Sequence, residues 1–345
     1  MGPVTSRRIP TLDGWRGIAI LMVLFAHYQM LHLGHFLFGL NWLDVGQHGV
    51  LIFFVLSGYI ITAKLISTEK IDLRQFYVRR VCRLVPAAWA YLFFLEFLTH
   101  VVHMNVIGSD IWCSLFFFRN YSHANPITGH FWSLSVEEQF YVVWPLVLVL
   151  FRRRYSVVIA SIAIVAFASY RTIHWNLYEN DGGYFTTQMH ADELLTGCIL
   201  AFLLTSEPIR AIFIRYGERI LPLLLLALVA CMYFYQRLIP FPETVTVALL
   251  IGITVTNPSC WLGRGLELEH LKTTGVMSYS LYLWQQLFLW SNWGAFGVFL
   301  LSAATLFSYL CIERPGIRLG HWLTCKLFQD RTEHAVTSDR ACEQI

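Results

Sequence analysis

Long stretches of apolar residues recur along the whole chain and dominate its pattern. Each is read as a membrane-spanning helix, because about twenty helical residues cross the roughly 30 Å hydrocarbon layer of a bilayer. The predicted spans are residues 14–33, 49–66, 85–103, 136–151, 155–170, 191–204, 220–235, 244–256, 275–293 and 294–312. The pattern predicts an all-α fold, a polytopic transmembrane helix bundle of about ten helices. A further apolar segment, 110–118, is too short to span and is expected to dip into the membrane or lie on it.

Basic residues are distributed unevenly between successive connections. Cytoplasmic loops carry an excess of Lys and Arg, and with the N-terminus inside, the outer connections hold only Arg119, Arg237 and the boundary residue Arg171. This alternation predicts that both N- and C-termini are cytoplasmic. We therefore expect a multi-pass protein of a bacterial inner (plasma) membrane, with a membrane-embedded domain over 1–320 and a short, partly disordered cytoplasmic tail over 321–345.

Composition excludes a soluble globule. The chain is 56% hydrophobic and only 14% charged, whereas soluble domains carry about a quarter charged residues. A formal net charge of +3 gives no reason to expect a nucleic-acid partner. The eight cysteines are scattered singly and are expected to pack as small hydrophobes. The pairs His32/His35 and His100/His103 are interpreted as interfacial histidines rather than metal ligands.

The first predicted span carries three ionisable residues, Asp13, Arg16 and His27. Such side chains are costly in lipid and face the bundle interior or a functional site. Eleven residues make three helical turns plus about 20°, so Arg16 and His27 share one helix face about 16 Å apart, and Asp13 lies one turn from Arg16. The alternative for His27 is a core imidazole bonded to a neighbouring carbonyl.

Arg80 and Arg83 precede the third predicted span on its cytoplasmic side. If this stretch is helical, residues three apart point the same way and can grip one polyanion between them. The alternative is that they only anchor the topology as positive-inside residues.

Glu137 and Glu138 enter the fourth predicted span from the outer side. Adjacent carboxylates on a helix point about 100° apart, so at most one is expected to face the interior, and Glu137 is favoured. The alternative is a capping box in which Ser135 caps the helix with Glu138 at its third position.

Small and amide side chains interrupt two other spans. Ser57 and Gly58 are expected to serve helix packing. Gln285 and Gln286 near mid-membrane are harder to explain by packing alone.

These signals, in this order, resemble the acyltransferase-3 family of integral membrane proteins, which includes bacterial O-antigen and exopolysaccharide O-acetylases. The matching strings run from residue 12 to residue 315. They are L-D-G-W-R-G with His27 eleven residues after Arg16, G-V-L-I-F-F-V-L-S-G-Y-I from Gly49, F-Y-V-R-R-V-C-R-L-V-P from Phe76, H-F-W-S-L-S-V-E-E-Q-F-Y-V-V-W-P from His130, H-A-D-E-L-L-T-G-C-I-L-A from His190, S-Y-S-L-Y-L-W-Q-Q from Ser278 and I-E-R-P from Ile312.

The resemblance implies transfer of an acyl group, usually acetyl from acetyl-CoA, to a hydroxyl of a sugar or similar acceptor. By position, His27 matches the family's essential histidine and Arg16 its first-helix arginine. Arg80 and Arg83 match its R-x-x-R, and Glu137 matches the acid of its S-x-E motif.

The chain departs from the family pattern at three places. Leu51 stands where Asp is frequent, His190 stands where the arginine of R-x-D is common, and Gln285 stands where W-H-Q is common. The last change removes a second histidine, so nothing at that position can replace His27 as a base.

The sequence thus predicts an O-acyltransferase in which His27 accepts the acceptor's proton. Arg80, Arg83 and Arg16 would hold the CoA phosphates, Asp13 would orient Arg16, and Glu137 would receive the acceptor from outside. Expected partners are acyl-CoA as donor substrate, a carbohydrate or glycolipid acceptor and membrane lipid, with no permanently bound cofactor and no metal.

Two other functions remain open at this stage. One is a transporter or exporter of a glycan or lipid-linked sugar, although the repeated halves and broken helices typical of that class are not evident in the sequence. The other is a catalytically inactive scaffold, which the intact His27, Arg16, Arg80 and Arg83 disfavour.

Overall fold

A bundle of α-helices makes up the fold. The computed structural model describes residues 9–32, 36–37, 40–68, 70–103, 108–122, 126–151, 153–178, 183–234, 241–289 and 293–328. The helices are α1 (Pro10–His32), α2 (Trp42–Ile66), α3 (Leu73–Val101), α4 (Gly108–Leu115), α5 (Pro126–Gly129), α6 (Phe131–Leu150), α7 (Arg153–Tyr178), α8 (Ala191–Leu203), α9 (Glu207–Tyr233), α10 (Phe241–Thr256), α11 (Trp261–Leu266), α12 (Glu269–Val276), α13 (Ser278–Leu289), α14 (Gly294–Ser308) and α15 (Arg314–Phe328).

Short elements connect some of these helices. An antiparallel pair of two-residue strands, β1 (Phe36–Leu37) and β2 (Leu40–Asn41), lies between α1 and α2. A π-helical turn, Tyr309–Glu313, joins α14 to α15. Three 3-10 turns occupy Arg119–Tyr121, Gly183–Phe185 and Thr187–Met189.

Several helices suit a membrane. Within the described residues, five are long and apolar enough to cross a bilayer: Val45–Ile66, Leu73–Val101, Pro126–Leu150, Arg153–His174 and Gly294–Leu327. The number rises to six if α8 and α9, which are bent by 102° at the break between them, form one broken span. A polytopic membrane protein is thus supported, whereas ten spans and cytoplasmic termini stay predictions. The predicted span 275–293 is divided between α12 and α13.

Helix α3 begins well before the predicted span at 85. The carboxylate of Asp72 accepts hydrogen bonds from the backbone N–H groups of Arg74 (2.9 Å) and Gln75 (3.1 Å), which caps the first turn. Arg80 and Arg83 therefore lie within the helix and one turn apart, as their proposed shared orientation requires.

Helix α6 also begins earlier than predicted, at Phe131. The proposed capping box is wrong, because Ser135 lies inside the helix, where its hydroxyl donates to the carbonyl of Phe131 (2.8 Å). Glu137 and Glu138 consequently lie in the second turn of α6 or beyond, not in its first turn. The apolar pattern missed this first turn because its polar positions face the bundle rather than lipid.

Close helix contacts depend on glycine at two positions. A Cβ on Gly58 of α2 would lie 1.8 Å from the carbonyl oxygen of Leu194 on α8, and a Cβ on Gly275 of α12 would lie 1.8 Å from the carbonyl oxygen of Asp13 on α1. The prediction that Gly58 serves packing is confirmed. Leu51, in place of the family's frequent Asp, is 4% exposed and belongs to the apolar core.

Segment 110–118 contains the short helix α4, which is too short to span. Helix α15 runs through the predicted domain boundary at 320, and the predicted disordered end at 329–345 lies outside the described residues. The seven described cysteines are all free; Cys198 and Cys260 are buried, as packing residues should be, whereas Cys311 and Cys325 are exposed.

Candidate functional site

Helix α1 carries Arg16 and His27 to two different cavities. Arg16 lines a cavity of about 600 Å³, and His27 lines a second of about 960 Å³. The ring of His27 is half-buried and interacts with Gln285 and with the backbone of Val23. Asp13 is half-buried and lines neither cavity.

The first of these, here called the arginine cavity, brings together most of the predicted site residues. Helices α1, α2, α3, α6 and α13 supply its walls. Its polar lining comprises Arg16, Ser57, Arg80, Arg83, Glu137 and Tyr141, among apolar and further hydroxyl side chains. Three arginines around one cavity within the bundle form a ready site for an anion.

Arg80 is held in place from two sides. Its guanidinium lies 3.3 Å from Glu138 Oε1, and its Cζ lies 3.3 Å above the centroid of the Tyr141 ring. Such stacking on an aromatic face orients the planar guanidinium. The structure thus brings both glutamates into the bundle, and the expectation that only one would face the interior is wrong.

Glu137 lies beside the arginines. Its Oε1 accepts a hydrogen bond of 2.5 Å from the hydroxyl of Ser57, and Arg80, Arg16 and Arg83 are close enough to act on it electrostatically. Ser57 is therefore a lining residue of the arginine cavity and a partner of Glu137, which corrects its predicted packing role. A local sequence pattern does not reveal this contact, because the two residues are 80 positions apart.

A third cavity, here called the basic cavity, adjoins the arginine cavity. It has a volume of about 1170 Å³, and Arg80 and Arg83 line both. Its basic lining residues are Lys64, Lys70, Arg79, Arg80, Arg83 and His321, against the acidic residue Asp72. Lys64 lies in the last turn of α2 and Lys70 in the connection between α2 and α3, a region that the charge pattern predicts to be cytoplasmic.

The cavity around His27, here called the histidine cavity, lies on the other side of the arginine cavity. Val50 and Tyr282 line both. Its polar and aromatic lining includes His27, Gln47, Arg119, His130, Trp132 and Gln286. The basic, arginine and histidine cavities therefore follow one another through the bundle, each sharing residues with the next.

His130 is a residue that sequence reasoning missed. It is 2% exposed and lines the histidine cavity together with His27. The Oε1 atom of Gln286 accepts from the backbone N–H of His130 (3.0 Å) and lies 2.6 Å from its Nδ1. A second histidine, at the residue that precedes α6, thus lies in the cavity of His27. In the sequence, His130 could have been noticed as a polar side chain directly before an apolar helix.

Arg119, predicted to lie in an outer connection, is in the segment between α4 and α5 and is buried. Its Nε donates to Thr128 (3.2 Å) and an Nη donates to the carbonyl of Ser122 (2.6 Å). Burial lowers the pKa of this guanidinium, and nearby Asp110, 3.7 Å away, opposes that effect. Arg119 gives the histidine cavity a fixed cation at its wall.

Arg171, predicted at a membrane boundary, lies inside α7 and is 2% exposed. It forms ion pairs with Asp192 and Glu193 at the start of α8. His190 also contacts Glu193, at 3.2 Å. Arg171 therefore pairs with both carboxylates at the start of α8, and this cluster holds α7 against α8.

Metal ligands do not cluster in the part of the chain that the structure describes: no group of three His, Cys, Asp or Glu residues there is arranged to hold an ion. Of the histidine pairs noted in the sequence, His35 lies outside the described residues, whereas His100 is exposed beside Glu96.

The structure therefore combines a helical membrane bundle with a series of arginine- and histidine-lined cavities, and comparison with known families gives the class of protein. Residues 9–312 match the Acyl_transf_3 family, described as an acyltransferase domain. The chain belongs to this family, as the motif strings indicated. No solved structure matches the chain.

Three of the curated relatives are named as O-acetyltransferases. The chain is 34% identical over 323 residues to YrhL of Bacillus subtilis, provisionally named a peptidoglycan O-acetyltransferase, covering 81% of this chain and 48% of that protein. It is 29% identical over 320 residues to the O-acetyltransferase OatA of Staphylococcus aureus, covering 81% and 50%. For the peptidoglycan O-acetyltransferase OatA of Listeria monocytogenes the identity is 27% over 315 residues, covering 81% and 49%. The chain spans about half the length of these relatives.

Proposed function

We propose that this chain is an O-acyltransferase that moves an acyl group, in the first place acetyl, from acyl-CoA to a hydroxyl of a sugar or other glycan- or lipid-linked acceptor. Family membership and the names of the relatives support the reaction class. The observation that carries the proposal is the series of three cavities, which connects a cluster of basic side chains to His27 through shared lining residues.

The donor would bind along this series. CoA carries several phosphate charges at one end and a thioester at the other, so the basic cavity suits its phosphates. Arg80 and Arg83 line both the basic and the arginine cavity and would hold the inner phosphates, with Arg16 further in. The thioester would then lie near Val50 and Tyr282, where the arginine and histidine cavities meet.

His27 would act as the base in the histidine cavity. A sugar hydroxyl is a weak nucleophile at neutral pH, and an imidazole is suited to removing its proton as it attacks. The acceptor oxygen bonds to the thioester carbonyl carbon, the C–S bond breaks, and the proton taken by His27 finally reaches the departing CoA sulfur or water. The products are the acylated acceptor and CoA.

The proposed roles of Glu137 and Asp13 differ from receiving the acceptor and orienting Arg16, the roles that the sequence predicts for them. Because Glu137 lies in the arginine cavity with Ser57 and three arginines, we assign it to orienting the donor site rather than to receiving the acceptor. Asp13 lines neither the arginine nor the histidine cavity, so it would act on the site only through α1, on which Arg16 also lies.

The proposed orientation follows from the distribution of basic residues. With both termini in the cytoplasm of a bacterium, the basic cavity faces the compartment that contains acyl-CoA. The test is whether purified protein in lipid nanodiscs transfers radiolabelled acetyl from acetyl-CoA to a soluble peptidoglycan fragment. Labelled product identified by mass spectrometry supports the proposal, and an intact donor after prolonged incubation contradicts it.

The transporter alternative gains one feature from the structure, the 102° bend between α8 and α9. The bend involves residues 204–206, and none of them lines the basic, arginine or histidine cavity. A break that carries substrate is expected to line the substrate site, so the acyltransferase is the better supported function.

A further inference from the structure

The second imidazole of the histidine cavity has a defined protonation pattern. The oxygen of the Gln286 amide must face His130, since it accepts the backbone N–H of that residue at 3.0 Å. A reversed amide would set two N–H donors against each other. The same oxygen lies 2.6 Å from Nδ1 of the ring, so in the neutral imidazole the proton is on Nδ1 and the lone pair is on Nε2.

That lone pair lacks a donor. Nε2 of His130 is buried and has no hydrogen-bond partner in the described part of the chain. The backbone carbonyl of Leu283 also lies near the ring, but a carbonyl is itself an acceptor and cannot serve a lone pair. A buried acceptor without a donor is unfavourable, so this atom is suited to a ligand that brings an O–H or N–H group.

We propose that Nε2 of His130 is a recognition atom of the acceptor site, accepting a hydrogen bond from a second hydroxyl or an amide N–H of the molecule whose other hydroxyl meets His27. This inference rests on the proposed function. It specifies the acceptor as a molecule with at least two donor groups close together, as a sugar or an N-acylated sugar has.

The surroundings of His130 suit such a ligand. His27 lines the same cavity and acts electrostatically on the His130 ring, so the two imidazoles can address one small molecule. Trp132 and Phe185 line the same cavity and supply aromatic faces, while Gln47 and Arg119 supply further polar groups. Pockets of this kind, mostly apolar with a few convergent polar groups, fix the orientation of a ligand.

The hydrogen bonds of His130 allow a matched pair of substitutions. In His130→Asn the amide nitrogen takes the place of Nδ1, keeping the donor to Gln286 while removing the atom at Nε2. In His130→Gln the amide reaches the position of Nε2 and can present its oxygen there as an acceptor. The Asn variant tests the proposal, and the Gln variant controls for loss of the imidazole.

The experiment measures transfer from acetyl-CoA to a soluble peptidoglycan fragment by protein in nanodiscs. We expect His130→Asn to raise the KM for the fragment about tenfold, with the KM for acetyl-CoA unchanged, and the KM of His130→Gln to stay within about threefold of wild type. A set of fragments then removes one donor group at a time, replacing either a hydroxyl by hydrogen or an amide N–H by an ester oxygen. For the wild type, one of these fragments should have a KM about tenfold higher than the parent fragment, whereas for His130→Asn the same fragment and the parent should have equal KM values.

Three results overturn the inference. Unchanged KM for the fragment in His130→Asn would mean that only water or nothing meets Nε2. If every fragment that lacks a donor group, hydroxyl or amide, raises the KM by the same factor in His130→Asn as in the wild type, no donor of the ligand contacts Nε2 specifically. A fall in kcat with unchanged KM would make His130 part of the chemistry instead.

If His130→Asn does not fold, Gln286→Met is the second variant. This substitution removes the acceptor of the Nδ1 proton, so the ring and its Nε2 atom are less firmly positioned. We expect the KM for the fragment to rise, but by less than in His130→Asn. An unchanged KM for the fragment overturns the proposal. Failure of the wild type to acylate any fragment would overturn the proposed function, and this inference with it.

Discussion

At the scale of the residue, His27 is the imidazole that the proposed chemistry needs. Arg16 and Arg83 lie in the neighbouring arginine cavity, whereas His27 lines the cavity with room for an acceptor. His130 lines the same cavity, but its Nδ1 is engaged by Gln286. Replacing His27 is therefore expected to slow the chemical step, whereas replacing His130 is expected to weaken binding of the acceptor.

Replacing His27 with Ala should abolish acetyl transfer, with a loss in kcat of about a hundredfold or more, because general-base catalysis contributes about 10²–10⁴. Steady-state transfer of labelled acetyl by purified protein measures this. His100→Ala is the matched control, since His100 is a 75% exposed histidine on α3 whose contact is with Glu96. Normal transfer by the His27 variant would remove this residue from the mechanism.

Arg80→Gln or Arg83→Gln should raise the KM for acetyl-CoA about tenfold, as expected for loss of a charge-assisted hydrogen bond. The effect of the arginines should shrink at high salt, where charges are screened. Arg74→Gln is the control, because Arg74 is exposed in the first turn of α3 and lines none of the three cavities. Equal behaviour of all three variants would reduce Arg80 and Arg83 to topology anchors.

Individual residues show what a sequence can predict about a site. Arg80 and Arg83 lie together because residues three apart on a helix are neighbours, and this spacing can be seen directly in the sequence. Ser57 with Glu137, and His130 with Gln286, are 80 and 156 positions apart. Their contacts depend on how α2, α6 and α13 pack, which a local pattern does not contain.

At the scale of the element, apolar runs located the centres of the helices better than their ends. Helix α3 starts twelve residues before its predicted span because Asp72 caps a polar first turn, and α6 starts five residues early because its polar residues face the bundle. A hydropathy pattern detects helical residues that are apolar. It therefore misses polar turns that face a cavity, and these turns carry residues of the candidate site.

The contact between α2 and α8 gives a prediction at this scale. Gly58→Ala places a Cβ 1.8 Å from the carbonyl oxygen of Leu194, so the helices must separate. We expect a destabilisation of about 1–3 kcal/mol, seen as a lower midpoint of thermal unfolding in detergent. Gly265→Ala is the control, since a Cβ there meets nothing within 4 Å. Equal midpoints for both variants would contradict this packing.

At the scale of the whole molecule, α1, α3 and α6 all place the arginines toward one end of the bundle and the histidines toward the other. Along α1, Arg16 precedes His27, and along α3, Arg83 precedes Tyr91, whose ring lies 5.4 Å from His130. Helix α6 runs the other way, with Glu137 following His130. The arginines and the histidines thus lie at different depths of the bundle, with the basic cavity beyond the arginines.

This arrangement predicts that donor and acceptor are used from opposite sides of the membrane. Acetyl-CoA is too charged to cross a bilayer, and the basic cavity adjoins the arginine cavity on the side away from His27. Inside-out vesicles should therefore acetylate a peptidoglycan fragment trapped in their lumen when acetyl-CoA is added outside. The same fragment added outside intact vesicles should stay unmodified.

Orientation in these vesicles is checked with Lys70→Cys, because Lys70 is an exposed residue that lines the basic cavity. The background carries Ser at the exposed Cys311 and Cys325 and at Cys342. An impermeant maleimide should label Lys70→Cys in inside-out vesicles and leave it unlabelled in intact cells. If labelling shows this orientation and yet only fragment added on the same side as acetyl-CoA is acetylated, the histidine cavity opens toward the donor side. The three cavities would then hold both substrates from one face of the membrane, and transfer across the bilayer would be excluded.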